Sequence, residues 1–183
     1  GDRAGWPSTS NPSGLVDRTD VVKSIGWERA SWWSETPMVK IGRRTGEFVD
    51  TSGLPTTVAI ATPQLRDAGV RNDWTPVSLA PHVEKVELAT NAASAELFLN
   101  GKSLGRKPAN ADASAIAWGV PFVPGEIRAL AYDAAGKAVA HDVLHTAGSP
   151  AAIRLVAEQA KLAPGFDRVG FVRVEIAGAK GVL

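Results

Sequence analysis

Three stretches carry residues whose types and spacing suggest chemistry. The first is Gly101-Lys102-Ser103 within "AELFLNGKSLG", the ending of a phosphate-binding loop. Such a loop needs a glycine five positions before Gly101, so that successive backbone N–H groups can wrap the phosphates. Glu96 stands there, with a side chain in the way and a charge that repels phosphate. No helical apolar period follows, and Gly105 and Pro108 come soon after. A hairpin fits instead. Ala95, Leu97 and Leu99 alternate with Glu96 and Phe98, which is strand periodicity. Asn100-Gly101 tolerates the positive φ of a type I′ turn, and Ser103-Leu104 begins the return strand.

The second stretch holds His141 and His145, at the spacing of a zinc-binding helix. The surrounding alternation is that of a strand, where residues four apart lie roughly 13 Å from each other. One zinc holds its ligands at about 2 Å and cannot bridge that gap. Asp142 also replaces the glutamate such a motif needs. Structural or solvent-facing histidines are expected. The third feature is six tryptophans, at 6, 27, 32, 33, 74 and 118. A tryptophan face can stack on a sugar ring or fill a core. Core packing is expected of Trp74 and Trp118, and packing on a neighbouring domain of Trp32-Trp33. No Gly-x-Ser-x-Gly elbow occurs, and no carboxylate sits in a catalytic motif. Glu126 simply opens a strand after Pro124-Gly125.

The elements that must position these residues are mostly strands. Residues 1–18 are rich in Gly, Pro and Ser and read as loop around a short Leu15-Val16 strand. Thr19 to Trp33 reads as a helix capped by Thr19 or Asp17, with Val21, Val22, Ile25, Arg29 and Trp32 near one face. Met38 to Ile41 alternates briefly, residues 42–56 read as loop, and Thr57–Ala61 is β-prone. Residues 62–76 read as irregular, anchored by Trp74. Strands then follow at Val83–Thr90, Ala95–Leu99, Ser114–Trp118, Glu126–Tyr132 and Lys137–His145, parted by Asn91, Asn100-Gly101, Pro124-Gly125 and Ala135-Gly136. Short strands so punctuated indicate an antiparallel β-sandwich. Ile153–Ala157 and Val169–Ile176 are two more, too few for a sandwich of their own.

The 183 residues allow one large or two small domains. A net charge of +1 argues against an electrostatic nucleic-acid partner, with no basic run beyond Arg43-Arg44. There is no cysteine, hence no disulfide framework and no thiolate metal site, which fits a reducing or an oxidising compartment. No apolar stretch of about 18 residues offers a membrane span. The first residues lack a signal-peptide pattern and do not begin with methionine, and both ends read as cut.

The region from Val86 to Gly148 is more specific than any of these motifs. "VELATNAASAELFLNGKSLGRK" and "WGVPFVPGEIRALAYDAAGKAVAHDVLHTAGSPAAIRL" resemble the region behind the catalytic barrel of bacterial family 2 glycoside hydrolases, the β-galactosidase-like enzymes. The resemblance rests on Glu96–Gly105, Trp118–Phe122, Pro124-Gly125, Ala129–Asp133, Gly136-Lys137, Thr146–Gly148 and Pro150-Ala151. It extends to "DWTP" at Asp73–Pro76 and to Trp32–Arg44. It implies a mainly β chain: an immunoglobulin-like antiparallel β-sandwich over 37–147. Residues 1–36 would then be the last strand and helix of a (β/α)8 barrel. Residues 148–183 would be a linker and the opening strands of a second immunoglobulin-like domain.

In this family two glutamates act with retention, their carboxyls about 5 Å apart. The resemblance places both upstream, so no catalytic residue is expected here. Trp6 would fall in a loop at the barrel mouth, where such sites are built. The expected function is a non-catalytic module supporting the barrel of a bacterial glycosidase, periplasmic or secreted. Its partner would be the rest of that protein, with no cofactor, metal, nucleic acid or membrane. A carbohydrate-binding module using exposed Trp74 or Trp118 is the alternative, and a structural immunoglobulin-like repeat a third, against which no internal repeat is visible. Parted from the barrel, Val21, Val22, Ile25 and Trp32 would seek cover, giving self-association or loss of order through residues 1–33.

Overall fold

The computed structural model describes residues 14–16, 22–45, 69–166, 168–179 and 181–182. The Thr57–Ala61 strand, the Thr19 and Asp17 caps, Trp6 and Val21 lie outside them. Among the described residues one helix, α1 (Ser24–Trp33), precedes ten strands: β1 (Val39–Arg44), β2 (Val70–Arg71), β3 (Val83–Thr90), β4 (Ser94–Leu99), β5 (Lys102–Pro108), β6 (Ile116–Pro121), β7 (Glu126–Tyr132), β8 (Ala138–His145), β9 (Pro150–Ala157) and β10 (Val172–Gly178).

Eight strands form two four-stranded antiparallel sheets, ordered β2-β1-β3-β6 and β5-β4-β7-β8. The chain crosses between sheets from β3 to β4, from β5 to β6 and from β6 to β7. This is an immunoglobulin-like β-sandwich. Alternation puts one set of side chains inside: Val39 and Ile41, Val86 and Leu88, Ala95 and Leu97, Ile116, Trp118 and Val120, then Ile127, Ala129 and Ala131. All are buried, and burying such apolar surface is the main force holding the sheets together.

The Asn100-Gly101 turn forms as expected, with φ of 49° and 81°. Asn100 also ties this turn to the next one. Its Nδ2 donates to Pro124 O at 3.1 Å and its Oδ1 accepts Glu126 N–H at 2.8 Å. Gly125, at φ +136°, lets the chain pass so close that an added Cβ would lie 2.0 Å from Asn100 Oδ1.

Three expectations need correction. α1 begins at Ser24 after Lys23, which makes no side-chain cap bond, because Val22 is bridged to Val16 and Lys23 N–H bonds Leu15 O. Gly26 allows that close approach: a Cβ there would sit 2.5 Å from Leu15 O. β1 continues through Gly42-Arg43-Arg44, expected to be loop, because ion pairs let Arg43 enter the sandwich and hold Arg44 on its outer face. Val70-Arg71, expected to be irregular, pairs with Arg44 and Arg43. The later strands keep their places with shifted ends; β6, for one, runs to Pro121 rather than starting at Ser114.

β9 and β10 form a sheet of their own. Ile153, Leu155, Val172, Val174 and Ile176 share one face by register and are 57–72% exposed. On the other face Arg154 donates to Glu175 at 2.6 Å and Arg173 pairs with Glu175 at 3.1 Å.

Candidate functional site

Charged side chains reach into the sandwich or bridge its open edges in three places. At one end, Arg43 on β1 and Glu84 on β3 follow the inward alternation of Ile41 and Val86. Arg43 donates Nε and Nη2 to Asp73 Oδ1 at 2.9 and 2.6 Å, and its Nη1 lies 3.6 Å from Glu84 Oε1. Asp73 also caps its own turn by accepting Thr75 N–H at 3.2 Å. His82 reaches Glu84 Oε1 with Nε2 at 2.7 Å. Trp74 follows Asp73 into the core, fully buried, 5.2 Å from the Phe122 ring, with Nε1 donating to Val123 O at 3.2 Å.

On the β1 side, Asp142 of β8 accepts Ile41 N–H at 2.9 Å and Lys40 Nζ at 3.1 Å. Asn72 Nδ2 donates to Ile41 O at 2.7 Å. On the far side, Lys107 of β5 donates to Ala117 O of the edge strand β6 at 2.7 Å, its Nζ 4.8 Å from the Trp118 ring. Side chains thus satisfy edge-strand backbone groups where no further strand pairs, and inward charges of this kind discourage edge-to-edge association.

Outside β1 and β3, α1 leaves a cleft of about 510 Å³, lined among others by Trp27, Lys40, Arg44, Asn72 and Glu87. Arg44 grips Glu87 with two bonds of 2.7 and 2.6 Å, and Lys85 lies 3.3 Å away. Burial pushes the Glu87 carboxyl up; hydrogen bonds and charge from Arg44 and Lys85 outweigh it and hold the group below the usual carboxylate range. On the opposite outer face, Tyr132 donates to Glu96 at 2.9 Å. Desolvation, with the Glu96 bond and charge, raises the Tyr132 phenol.

The residues singled out from sequence fall into place against this frame. Ser103 donates to Glu96 at 2.6 Å across the hairpin, so Gly101-Lys102-Ser103 is a turn and strand start. His141 and His145 both lie exposed on β8, an extended strand as expected. Trp118 is 4% exposed and Trp74 fully buried, so neither offers an open ring face to a sugar. Trp32 is half-exposed with Nε1 donating to Ala113 O at 2.9 Å, and Trp33 stands 72% exposed. Arg43 and Asp142 are the residues that sequence reasoning missed. Nothing local to either signals its distant partner.

The carboxylates in and against this sandwich are committed to holding it together. Asp73, Glu84 and Glu87 face arginine, lysine or histidine, and Asp142 faces lysine and a backbone N–H.

Comparison with known proteins agrees with that architecture. The family model described as Domain of unknown function (DUF4982) matches residues 82–140, from His82 to the start of β8. Beta-galactosidase BoGH2A of Bacteroides ovatus is 28% identical over 179 residues, which is 98% of this chain and 17% of that protein. A beta-glycosidase from Bacteroides vulgatus superposes with a TM-score of 0.71 at 26% identity, covering 97% of this chain and 19% of the other. A glycosyl hydrolase family 2 member from Bacteroides cellulosilyticus superposes with a TM-score of 0.75 at 24% identity over 92% of this chain and 21% of the other. The chain therefore spans about a fifth of the length of the proteins it matches. In sequence and fold the chain is thus similar to a β-sandwich region of family 2 glycoside hydrolases.

Proposed function

We propose that this chain is a non-catalytic support module of a retaining, β-galactosidase-like glycoside hydrolase. The observation that carries the reading is the division of its surfaces. Inward charged groups and both core tryptophans close the sandwich, while large apolar side chains stand open on α1 and on the β9–β10 ribbon. Ile25 and Trp33 on α1 are 48% and 72% exposed, as expected of a helix that packs on a neighbouring domain. The apolar ribbon face suits further strands of a second sandwich, since two strands alone bury too little to be stable. In this reading residues 1–36 belong to the catalytic barrel, 37–147 to the support module and 148–183 to a linker and the second sandwich. Without those neighbours, Ile25 and Trp32 would draw two copies of this chain together.

The test compares hydrolysis of chromogenic glycosides by the intact parent protein and by this chain. Activity in the parent alone is expected, and the panel identifies the sugar. Turnover by this chain would overturn the reading. In the parent, Trp33→Ala should lower thermal stability and leave KM unchanged. Retention of this chain on a polysaccharide column, lost in Trp33→Ala, would instead favour a binding module that uses the one strongly exposed indole among the described residues.

A further inference from the structure

Asn100-Gly101 is the only Asn-Gly pair in the chain. Such a pair carries a reaction of its own. The glycine's backbone nitrogen can attack the asparagine's side-chain amide carbon, because no side chain on the glycine shields that nitrogen. Here both residues are exposed, and a Cβ added to Gly101 would meet nothing within 4 Å. Water reaches the nucleophile, and nothing packed around the turn covers it.

What stands against the reaction is where the amide is held. Asn100 Nδ2 donates to Pro124 O at 3.1 Å and Oδ1 accepts Glu126 N–H at 2.8 Å. Both partners are backbone groups, one an acceptor only and the other a donor only. A side-chain amide satisfies both, in one orientation. The amide also rests on Gly125, where an added Cβ would fall 2.8 Å from the amide carbon. For Gly101 N to reach that carbon, the side chain must turn back over its own backbone and give up both bonds.

We infer that Asn100 is a deamidation site that the folded sandwich keeps shut and that opening of the 124–126 turn releases. In the reaction Gly101 N bonds to Asn100 Cγ and the Cγ–Nδ2 bond breaks. Nδ2 leaves as ammonia, taking the proton from Gly101 N. Water then opens the succinimide ring. Cleavage of its Cγ–N bond leaves aspartate; cleavage of the bond between Asn100 C and Gly101 N leaves isoaspartate. Neither product rebuilds the joint. The aspartate carboxylate only accepts, so it can keep Glu126 N–H but sets an oxygen against Pro124 O. Isoaspartate adds a methylene to the backbone of a turn only two residues long. The segment lost from this joint is one that Thr146 holds from the other side, through Gly125 O and Gly125 N–H. An opening long enough for the reaction is thus made permanent.

The test follows the peptide that holds Asn100 by mass spectrometry at mildly alkaline pH, in the folded chain and in the chain unfolded by urea. Two hydrogen bonds must open together, so the folded chain should deamidate at least about tenfold more slowly. Equal rates would overturn the inference. Folded Gly125→Ala, in which the added Cβ displaces the amide, should deamidate faster than the folded unsubstituted chain. An unchanged rate in that variant would show that the two bonds do not protect Asn100, and would also overturn it. Asn100→Asp stands for one product and checks the consequence without the reaction. Its melting temperature should fall, and an unchanged one would overturn the claim that the product cannot rebuild the joint. Should Gly125→Ala not fold, the other two measurements decide.

Discussion

Asp142 Oδ2 accepts the backbone N–H of Ile41 at 2.9 Å, although the two residues lie 101 positions apart and in different sheets. Ile41 sits where β2 no longer pairs with β1, so its N–H faces away from the sheet. A buried donor left without a partner costs about 1–3 kcal/mol. Asp142→Ala should lower the unfolding free energy of the chain by about that amount, read from urea denaturation. Asp142→Asn keeps an acceptor and loses only the charge facing Lys40, so its loss should be smaller. Equal losses would show that the ion pair, not the backbone bond, is what matters.

Trp74 and Trp33 should behave oppositely. Trp74 is fully buried on Phe122, and truncating a core tryptophan costs about 3–5 kcal/mol. Trp33 is 72% exposed, and changes at such sites stay within about 0.5 kcal/mol. Thermal unfolding of Trp74→Ala and Trp33→Ala in this chain compares them directly. Similar effects would mean that Trp33 is covered in solution, as by a second copy.

Gly125→Ala tests the joint between two turns. The residue sits at φ +136°, and an added Cβ would press on the Asn100 side chain. That side chain would have to release Pro124 O and Glu126 N–H. A loss of more than about 1 kcal/mol is expected. Gly136→Ala, also at positive φ but with open space around it, carries the backbone strain alone and should cost less. Equal losses would put the whole effect in φ.

Acid should weaken the chain through Glu87. Its carboxyl is held below the ordinary value of 4.5 in the folded state, so the folded protein binds that proton less readily than the unfolded one. The stabilisation is complete above the ordinary carboxylate range and is lost as pH falls through the lowered value. Melting temperature followed from pH 7 downward should fall more steeply in the parent sequence than in Glu87→Gln. Parallel curves would show that Glu87 contributes nothing to acid sensitivity.

Local rules made much of this fold legible. Val83–Thr90 and Glu126–Tyr132 appear as strands with the expected bounds, because their alternation and flanking turns act within a few residues. Asn100-Gly101 turned the chain for the same reason, since positive φ is a property of those two residues. Trp74 was legible as an anchor because so large an apolar ring has few other places to go. The strand reading of His141 and His145 followed from periodicity alone.

What only the tertiary structure decided is where the charges go. Arg43 reads as a loop residue, because a buried arginine is tolerable only beside partners, and Asp73 and Glu84 lie 30 and 41 positions away. Val70-Arg71 is too short to show a period, and is a strand only because β1 lies beside it. Asp142 looked like the wrong residue in a zinc motif, and folding made it the partner of an open strand edge. Periodicity ranks residues by face, a choice each segment makes alone. Pairing of charges and edges depends on which strands meet, and that is settled by the packing of the two sheets together.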